Sequence, residues 1–341
     1  MMVTREQIDE ALRTISYPGV NKDIVTLGTV KTIEISGNAV TIQLDLRSND
    51  ATEVREVEEA VKKKISAFPD IGSLTVKNMT TAAKPQGSGQ FLTQIKTKIA
   101  VASGKGGVGK STVSVNLAVA LAKSGLKVGL LDSDIYGPSI PLMFGVTEKP
   151  AFDGSKLQPI EKYGVKLMSL GFLVTDDSPV IWRGPLVMRA LQQLISDVDW
   201  GELDVILFDM PPGTGDAQLT LSQSVALDGA IIVTTPQDVA LLDAIKGVHM
   251  FQKVNVPILG IIENMSYFIC GHCQQRTDIF SSGGARKACD RLHVELLGEI
   301  PLDAEIRAGG DQGLPVVEKD QKNNQSQAFL EIAKKLKSTV L

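Results

Sequence analysis

The sequence GKGGVGKS at residues 104–111 constrains this chain more than any other segment. It lies between an apolar, strand-like run at 99–102 and a helical pattern at 112–123. A strand, a glycine-rich loop and a helix in that order form a phosphate-binding loop, because glycines let backbone N–H groups turn inward around an anion. The positive end of the helix dipole faces the same anion. The segment therefore predicts an α/β domain that binds a nucleotide.

Individual side chains of this segment have predicted roles. Lys110 is expected to reach the β- and γ-phosphates, and the Ser111 hydroxyl to coordinate Mg²⁺. A second lysine, Lys105, lies inside the loop, although an ordinary phosphate loop does not require it. The predicted nucleotide contacts in this segment are Gly104, Lys105, Gly106, Gly107, Val108, Gly109, Lys110, Ser111 and Thr112.

Bulk properties exclude several classes of function. The 341 residues favour two domains, and the net charge of −4 with no long basic run gives no support to nucleic-acid binding. No apolar stretch reaches the roughly 18 residues of a membrane span. Three cysteines are too few and too odd a number for a disulfide framework. With no export or import signal at the N-terminus, a cytoplasmic protein is expected.

Two domains with a linker are predicted. Residues 1–80 read as a small α+β unit in the order αββαβ, with a helix starting at Thr4, a hairpin turn at Gly37-Asn38 and an alternating strand at 40–46. Residues 81–95 contain a Pro/Gly/Ser-rich linker. Residues 96–341 alternate continuous apolar runs with helices, which is typical of a doubly wound, mostly parallel sheet. Those runs are 99–102, 128–132, 165–170, 205–209, 230–234 and 258–262.

Acidic residues follow two of these strands. An aspartate that ends an apolar strand beside a phosphate loop is the usual anchor for Mg²⁺, and Asp209 takes that role. Asp134 is the candidate for orienting or deprotonating the attacking water, with Asp132 in support. The backbone N–H of Gly213 is predicted to contact the γ-phosphate. Each aspartate taken alone reads equally well as a helix N-cap.

The phosphate loop is similar to that of the MinD/ParA class of P-loop ATPases. In that class a lysine at the position of Lys105 reaches the phosphates of a second copy, so the resemblance implies a homodimer with ATP at the interface. The class often uses an asparagine at the position of Asn264 to contact the base. Pro301 would flank the same pocket.

Cys270 and Cys273 form a C-x-x-C turn that directs two sulfurs at one metal. An iron–sulfur cluster or a structural zinc usually takes four ligands, and two copies of the chain would supply them. From the residues alone a cluster, a zinc shared between two copies, a zinc held with His272, and a redox pair all stay open. Cys289 is expected to be a buried, inert thiol on a helix.

The motifs together resemble the Mrp family of ATP-binding iron–sulfur cluster carriers. Besides the phosphate loop and cysteine turn, they are DSDIYGPS (132–139), WRGP (182–185), DMPPGTGD (209–216), ENMSYF (263–268) and GEIPLD (298–303). The family's cysteine turn commonly has proline where this chain has Gly271. The resemblance implies a slow ATPase that carries a [4Fe–4S] cluster, bridged by Cys270 and Cys273 across a homodimer. It would receive the cluster from an assembly scaffold and deliver it to apo-proteins.

The N-terminal unit resembles a small iron–sulfur assembly-type domain. That domain often has a cysteine just before its second helix, where residues 47–53 have none, so protein docking is the favoured use.

The alternative function is a positioning ATPase of the MinD/ParA type that acts on membrane or DNA. Its supporting feature is an amphipathic C-terminal helix, with Phe329, Ile332 and Leu336 on one face. A nitrogenase-reductase-like electron donor is disfavoured, because the cluster cysteines of that class lie far apart in sequence.

Overall fold

The computed structural model describes residues 3–17, 23–36, 38–44, 51–68, 70–78, 92–134, 137–172 and 184–341. The chain divides into two compact units, Met1–Gln86 and Gly87–Leu341. Most of the predicted linker, the segment before the second helix at 45–50 and the Trp182-Arg183 pair lie outside the described residues.

The first unit has the αββαβ order that the sequence predicts. Its elements are α1 (Arg5–Leu12), β1 (Val30–Ser36), β2 (Ala39–Leu44), α2 (Ala51–Ile65) and β3 (Ser73–Asn78). Thr4 caps α1 in a reciprocal capping box with Gln7. β2 is the central strand, antiparallel to β1 and parallel to β3. Its apolar side chains are buried against both helices, so the unit has a hydrophobic core of its own.

The second unit contains eight strands of one large sheet. They are β4 (Ile95–Ala102), β5 (Val128–Asp132), β6 (Ile160–Lys162), β7 (Val165–Ser169), β8 (Leu203–Asp209), β9 (Gly229–Thr234), β10 (Ile258–Glu263) and β13 (Leu296–Glu299). A separate hairpin consists of β11 (Phe268–Ile269) and β12 (Arg276–Thr277). The strand order in the large sheet is β13-β10-β9-β4-β8-β5-β7-β6, and only the pairing of β6 with β7 is antiparallel.

Helices connect these strands. They are α3 (Lys110–Lys123), α4 (Ile140–Met143), α5 (Gly184–Ser196), α6 (Asp216–Ser224), α7 (Asp238–Lys253), α8 (Gly284–Leu292), α9 (Ala304–Gln312), α10 (Val316–Lys319) and α11 (Asn324–Thr339). The doubly wound, mostly parallel architecture confirms the predicted fold class. The six apolar runs correspond to six central or near-central strands, and the sequence reading missed the edge strands β6 and β13.

The strand order of the large sheet places the candidate functional residues next to one another. β4, β8 and β5 are adjacent and parallel, so their carboxyl ends lie side by side. The phosphate loop leaves β4, Asp209 ends β8 and Asp132 ends β5. Every residue of β5 and every residue of β9 is buried, so both strands lie in the core of the domain.

Candidate nucleotide site and cysteine hairpin

The Asp209 carboxylate contacts three side chains at the start of α3, next to the phosphate loop. Its side chain is fully buried, and its Oδ1 lies 2.8 Å from the Lys110 ammonium. Ser111 Oγ donates a hydrogen bond of 2.6 Å to Oδ2, and Ser114 Oγ donates one of 2.7 Å to Oδ1. A buried carboxylate needs such partners, since an unpaired charge in the core is costly. The structure thus brings Asp209 to Lys110 and Ser111, which lie about a hundred residues earlier in the sequence.

Asp132 lies beside Asp209 in the parallel register of β5 and β8. Burial first, and the neighbouring negative charge of Asp209 second, raise the pKa of Asp132 to about 7. Its oxygens accept hydrogen bonds from the backbone N–H of Asp134 at 3.1 Å and from Ser169 Oγ at 3.0 Å. Asp132 therefore holds the start of the segment that carries Asp134, which fits the supporting role predicted for it.

A cavity of about 230 Å³ lies over the phosphate loop. It is lined by residues 105–112 together with Ser103, Asp134, Ser139, Met143 and Pro212. Asp134 thus faces the same space as the loop. Ser139 and Pro212 belong to the sequence motifs at 132–139 and 209–216, whereas Met143 was not singled out from the sequence. Met143 belongs to the short helix α4, and only its position in the fold, not a motif, brings it to the cavity.

The loop glycines make a cradle that larger residues would block. A Cβ on Gly104 would lie 2.1 Å from the Asp243 carbonyl oxygen, and one on Gly109 would lie 2.3 Å from Asn264 Nδ2. Gly107 and Gly109 also have positive φ, of 81° and 79°. Gly213 has a φ of 94°, and its N–H donates to the Ser103 carbonyl at 3.0 Å.

The donor set fits Mg²⁺. A hydroxyl and a carboxylate, Ser111 Oγ and Asp209 Oδ2, lie 2.6 Å apart beside the cavity. Mg²⁺ prefers oxygen ligands and is usually held by one or two protein oxygens plus phosphates of a nucleotide. These two residues are the ones that would hold the ion.

Lys105 lines the cavity over the phosphate loop. Its carbonyl accepts a hydrogen bond of 2.9 Å from Ser103 Oγ. Its ammonium makes no hydrogen bond or ion pair with any residue in the described part of the chain, in contrast to Lys110. A half-exposed cation at the mouth of a phosphate site is free to meet a further anion.

Asn264 follows β10, and its side chain is buried against the phosphate loop. Nδ2 donates a hydrogen bond of 2.9 Å to the Val108 carbonyl. Neither Asn264 nor Pro301 lines the cavity over the loop. Pro301 is buried next to this segment, since Ser266 N–H donates to the Ile300 carbonyl at 2.8 Å. A contact of Asn264 with adenine stays a prediction.

The cysteine pair lies at the tip of the β11–β12 hairpin, as the sequence indicates. Cys270 follows β11, its N–H donates to the Gln275 carbonyl at 3.0 Å, and Gln274 N–H returns to the Cys270 carbonyl at 2.8 Å. Gln274 closes the turn with a φ of 58°. Residues 271–282, including Cys273, are all exposed, and Cys270 is half-buried.

The two sulfurs belong to one reactive group. Hydrogen bonds from the Cys273 backbone N–H, then from that of His272, lower the pKa of Cys270, and the Cys273 thiol adds to this effect. Cys289 is the opposite case, since burial on α8 raises its pKa to about 11. The structure thus separates Cys270, a thiol of lowered pKa, from the buried thiol of Cys289.

Among the residues that the structure describes, no three His, Cys, Asp or Glu side chains come together as a metal site. His272 therefore does not complete a four-ligand site with the two cysteines in one chain. Two thiols per chain are what the hairpin offers.

A larger groove, of about 750 Å³, lies in the first unit between α1 and α2. Its lining is mostly apolar with Lys63 and Lys64, whereas the smaller cavity over the phosphate loop has converging cations, carboxylates and backbone donors. We place the chemical site at the smaller cavity because chemistry depends on those groups.

The amphipathic C-terminal helix α11 is packed on its own domain. Phe329, Ile332 and Leu336 are buried in the main core. Lys335 Nζ donates to the Leu297 carbonyl at 2.9 Å, and Lys337 Nζ donates to the Ser124 carbonyl at 2.7 Å. In the part of the chain that the structure describes, no helix has the length and apolar character to cross a membrane.

Comparison with known proteins identifies the family of both parts of the chain. The family described as NUBPL iron-transfer P-loop NTPase matches residues 94–337, and the family described as iron-sulfur cluster assembly protein matches residues 5–77. The iron-sulfur cluster carrier protein of Synechocystis sp. is 45% identical over 350 residues, which covers 99% of this chain and 98% of that protein. The mouse iron-sulfur cluster transfer protein NUBPL is 51% identical over 242 residues, 70% of this chain and 76% of that protein.

Solved structures show the same fold for the second unit. A nucleotide-binding protein from Archaeoglobus fulgidus, in complex with ADP, is 40% identical with a TM-score of 0.61, over 69% of this chain and 93% of that one. The cell division ATPase MinD of Pyrococcus furiosus is 25% identical with a TM-score of 0.54, over 71% of this chain and 98% of that one. On its sequence, its fold and its phosphate loop, this chain belongs to the family of iron-transfer P-loop NTPases that includes the iron–sulfur cluster carrier proteins.

Proposed function

We propose that this protein is an ATP-hydrolysing carrier that binds a [4Fe–4S] cluster between two copies of the chain and transfers it to apo-proteins. The observation that carries the proposal is the hairpin with two accessible thiols and, among the described residues, no further ligand beside them. Two copies supply four thiolates, which is the ligand number of such a cluster. The names of the curated relatives point to the same cargo.

The nucleotide half of the function follows from the cavity residues. Backbone N–H groups of the loop would bind the phosphates, and Lys110 would neutralise charge on the β- and γ-phosphates. Ser111 and Asp209 would hold Mg²⁺, which polarises the γ-phosphate when bound. Asp134 faces the cavity and would orient or deprotonate the attacking water. Lys105 would stabilise the developing charge on the phosphates of the second copy.

Exposed apolar side chains favour pairing of two copies. Val239 and Leu242, on the α7 turn next to the phosphate loop, are 64% and 60% exposed. Ile279 and Phe280, in the segment after the hairpin, are 51% and 39% exposed. Apolar groups in such positions mark contact surfaces more often than free surface. A second copy on this side would bring both sets of cysteines and both Lys105 side chains to one interface.

The alternative of a membrane-positioning ATPase loses its main support. The apolar face of α11 is buried in the core, so it is already occupied by the protein itself. The family match and the curated relatives favour the carrier.

Reconstitution with iron and sulfide in the absence of air tests the carrier. We expect the wild type to bind about four iron and four sulfide per two chains, the composition of a [4Fe–4S] cluster. Cys270→Ala and Cys273→Ala should lose most of this iron and the visible absorbance of the cluster. Cys289→Ala is the matched control and should keep both, because that thiol is buried on α8. Transfer is then measured as the activity regained by an apo-enzyme that needs a [4Fe–4S] cluster.

Either of two results would contradict the carrier role. A wild-type protein that binds zinc but no iron under these conditions, or iron uptake unaffected by both cysteine substitutions, rules out the carrier role.

A further inference from the structure

Asn264 connects the phosphate loop to the segment that carries the cysteine hairpin. Its Nδ2 donates to the Val108 carbonyl at 2.9 Å, and its backbone N–H donates to the Thr234 carbonyl at 2.8 Å. Its side chain is 4% exposed, so the bond is shielded from water. A buried hydrogen bond is costly to break without a replacement partner. The loop backbone at Val108 therefore moves together with Asn264.

Asn264 is also packed closely against Gly109 of the phosphate loop. A Cβ on Gly109 would lie 2.3 Å from Asn264 Nδ2 and 3.6 Å from the Met265 Cε. Met265 itself has a φ of 54°, an uncommon value for a side chain of its size. Asn264 and Met265 are thus packed directly on the phosphate loop, and there is no free space between them to absorb a displacement.

Only five residues lie between Asn264 and Cys270, and this stem, residues 265–269, is held by backbone hydrogen bonds. Ser266 N–H donates to the Ile300 carbonyl at 2.8 Å, and Leu302 N–H donates to the Tyr267 carbonyl at 2.7 Å. Because backbone hydrogen bonds fix this stem against the end of β13, it acts as a short rigid connection. A flexible linker of the same length would not transmit a movement.

The base of the hairpin is anchored to the same stem. The Arg276 guanidinium lies 4.1 Å from the centre of the Tyr267 ring, a cation–π contact. Arg276 Nε also pairs with Asp278 at 3.0 Å, and its Nη2 lies 3.6 Å from Glu299. Arg276 faces Ile269 in the hairpin register, directly before Cys270. Arg276 therefore connects the base of the hairpin to Tyr267 of the stem and to Glu299 at the end of β13.

We propose that Asn264 couples the occupancy of the phosphate loop to the affinity of the cysteine pair for its metal. This inference rests on the proposed function, because it concerns the regulation of the same metal site. Phosphate binding recruits the backbone N–H groups around Val108 and Gly109, which shifts the carbonyl that holds Asn264. The rigid stem passes that shift to the hairpin, so ATP changes how tightly the thiols of Cys270 and Cys273 hold the cargo. By linkage, metal at the hairpin changes nucleotide affinity by the same factor.

The coupling is measured on the full chain with two probes, in the absence of air. Co²⁺ at thiolates gives visible bands that report binding to the cysteines, and Cys270→Ala shows which bands belong to the pair. A fluorescent ATP analogue that is hydrolysed slowly, with Mg²⁺ present, reports nucleotide binding. We measure the Co²⁺ affinity with and without nucleotide, and the nucleotide affinity with and without Co²⁺. For the wild type we expect both ratios to differ from one by the same factor, roughly fivefold or more.

Variants then locate the connection. Asn264→Ala removes the amide that holds the loop, and we expect both ratios to fall to about one. Arg276→Lys keeps the charge on the hairpin but loses the planar contact with Tyr267. It should bring both ratios closer to one, although residue 276 does not contact the phosphate loop. Asn116→Ala is the matched control, since Asn116 is a buried asparagine on α3 that donates to the Thr112 carbonyl at 3.0 Å and lies outside the stem. Its ratios should equal those of the wild type.

The outcomes separate the inference from the proposed function. Wild-type ratios of one, or wild-type ratios retained in Asn264→Ala, overturn the coupling while leaving the carrier role intact. If Asn264→Ala lowers nucleotide affinity equally with and without Co²⁺, its amide serves the base instead, and the coupling is again overturned. A wild type that binds no Co²⁺ through its cysteines overturns the proposed function, and this inference with it.

Discussion

Two carboxylates, those of Asp132 and Asp209, lie at neighbouring strand ends near a single lysine, Lys110. Asp132 and Asp209 are aligned in adjacent parallel strands, and the Lys110 ammonium pairs with Asp209. Since two like charges in a buried position cannot both be ionised cheaply, the one without the lysine shifts its pKa. Burial first, and Asp209 second, raise the pKa of Asp132 to about 7.

This shift predicts a pH dependence of stability. The pKa of Asp132 is raised from about 3.8 in the unfolded chain to about 7 in the folded one, so between these values the folded state keeps a proton that the unfolded state releases. The free energy of unfolding should therefore fall as the pH rises through this window and level off above about pH 7. Asp132→Asn should remove this contribution, at most about 1.4 kcal/mol per pH unit, in urea unfolding followed from pH 4.5 to 8.

Asp153→Asn serves as the control for that experiment. Hydrogen bonds from the Lys156 and Ser155 backbone lower the pKa of Asp153 to about 2, so it titrates below the window and should leave the slope unchanged. A difference between wild type and Asp132→Asn that is independent of pH would contradict the assignment.

At the scale of elements, the phosphate loop is fixed by two neighbours that the sequence does not place beside it. Helix α7 supplies the Asp243 carbonyl against Gly104, and the end of β10 supplies Asn264 against Gly109. The loop is therefore held in shape by packing as well as by its own glycines. This support explains why Gly104 and Gly109 tolerate so little added volume.

Substitution of Gly104 tests the contact with α7. A Cβ there would lie 2.1 Å from the Asp243 carbonyl oxygen, so backbone must shift, and we expect Gly104→Ala to lower the free energy of unfolding by roughly 1–3 kcal/mol. Gly106→Ala is the matched control, because the nearest atom to its Cβ would be Pro212 Cβ at 4.0 Å. It should change stability by less than about 0.5 kcal/mol. Equal losses in the two variants in urea unfolding would show that the contact does not matter.

The sequence predicted elements with a strong local signal and missed those without one. Continuous apolar runs such as 205–209 identify strands buried on both faces, and GKGGVGKS identifies the turn that joins β4 to α3. The edge strands β6 and β13 have three and four residues, and half-exposed edges do not need a continuous apolar run. Their pairing depends on the sheet beside them, which a local pattern does not contain.

The candidate site was predictable to the same extent. Lys110, Ser111 and Asp209 carry motif-level signals, and the structure brings all three within hydrogen-bonding distance. Met143 and the Asn264–Val108 contact have no such signal, since both depend on how distant segments pack. Side-chain geometry of that kind is a property of the folded chain alone.

At the scale of the whole molecule, three features bear on the proposed pairing of two copies. The hairpin has two thiols, and the Lys105 ammonium has no partner among the described residues. A single chain also leaves apolar side chains of α7 exposed beside the loop. The proposed pairing would account for all three.

Lys105 provides the test of that pairing. With Mg²⁺ and a slowly hydrolysed ATP analogue, the 36.5 kDa wild-type chain should sediment at twice its mass. Lys105→Ala should bind nucleotide but pair weakly, and ATP hydrolysis should fall by on the order of 10³-fold, the magnitude for a cation supplied by a second chain. Lys253→Ala, at the opposite end of α7, makes the same change of charge and should behave as wild type. Unchanged sedimentation of Lys105→Ala would argue for a lysine that acts within its own chain.

The exposure of residues 271–282, Cys273 among them, has a consequence for the proposed carrier. A recipient of the cluster would reach Cys273 without any opening of the fold, but dioxygen and peroxide would reach it by the same path. Rapid transfer of the cluster and resistance to oxidation would therefore work against each other at this hairpin.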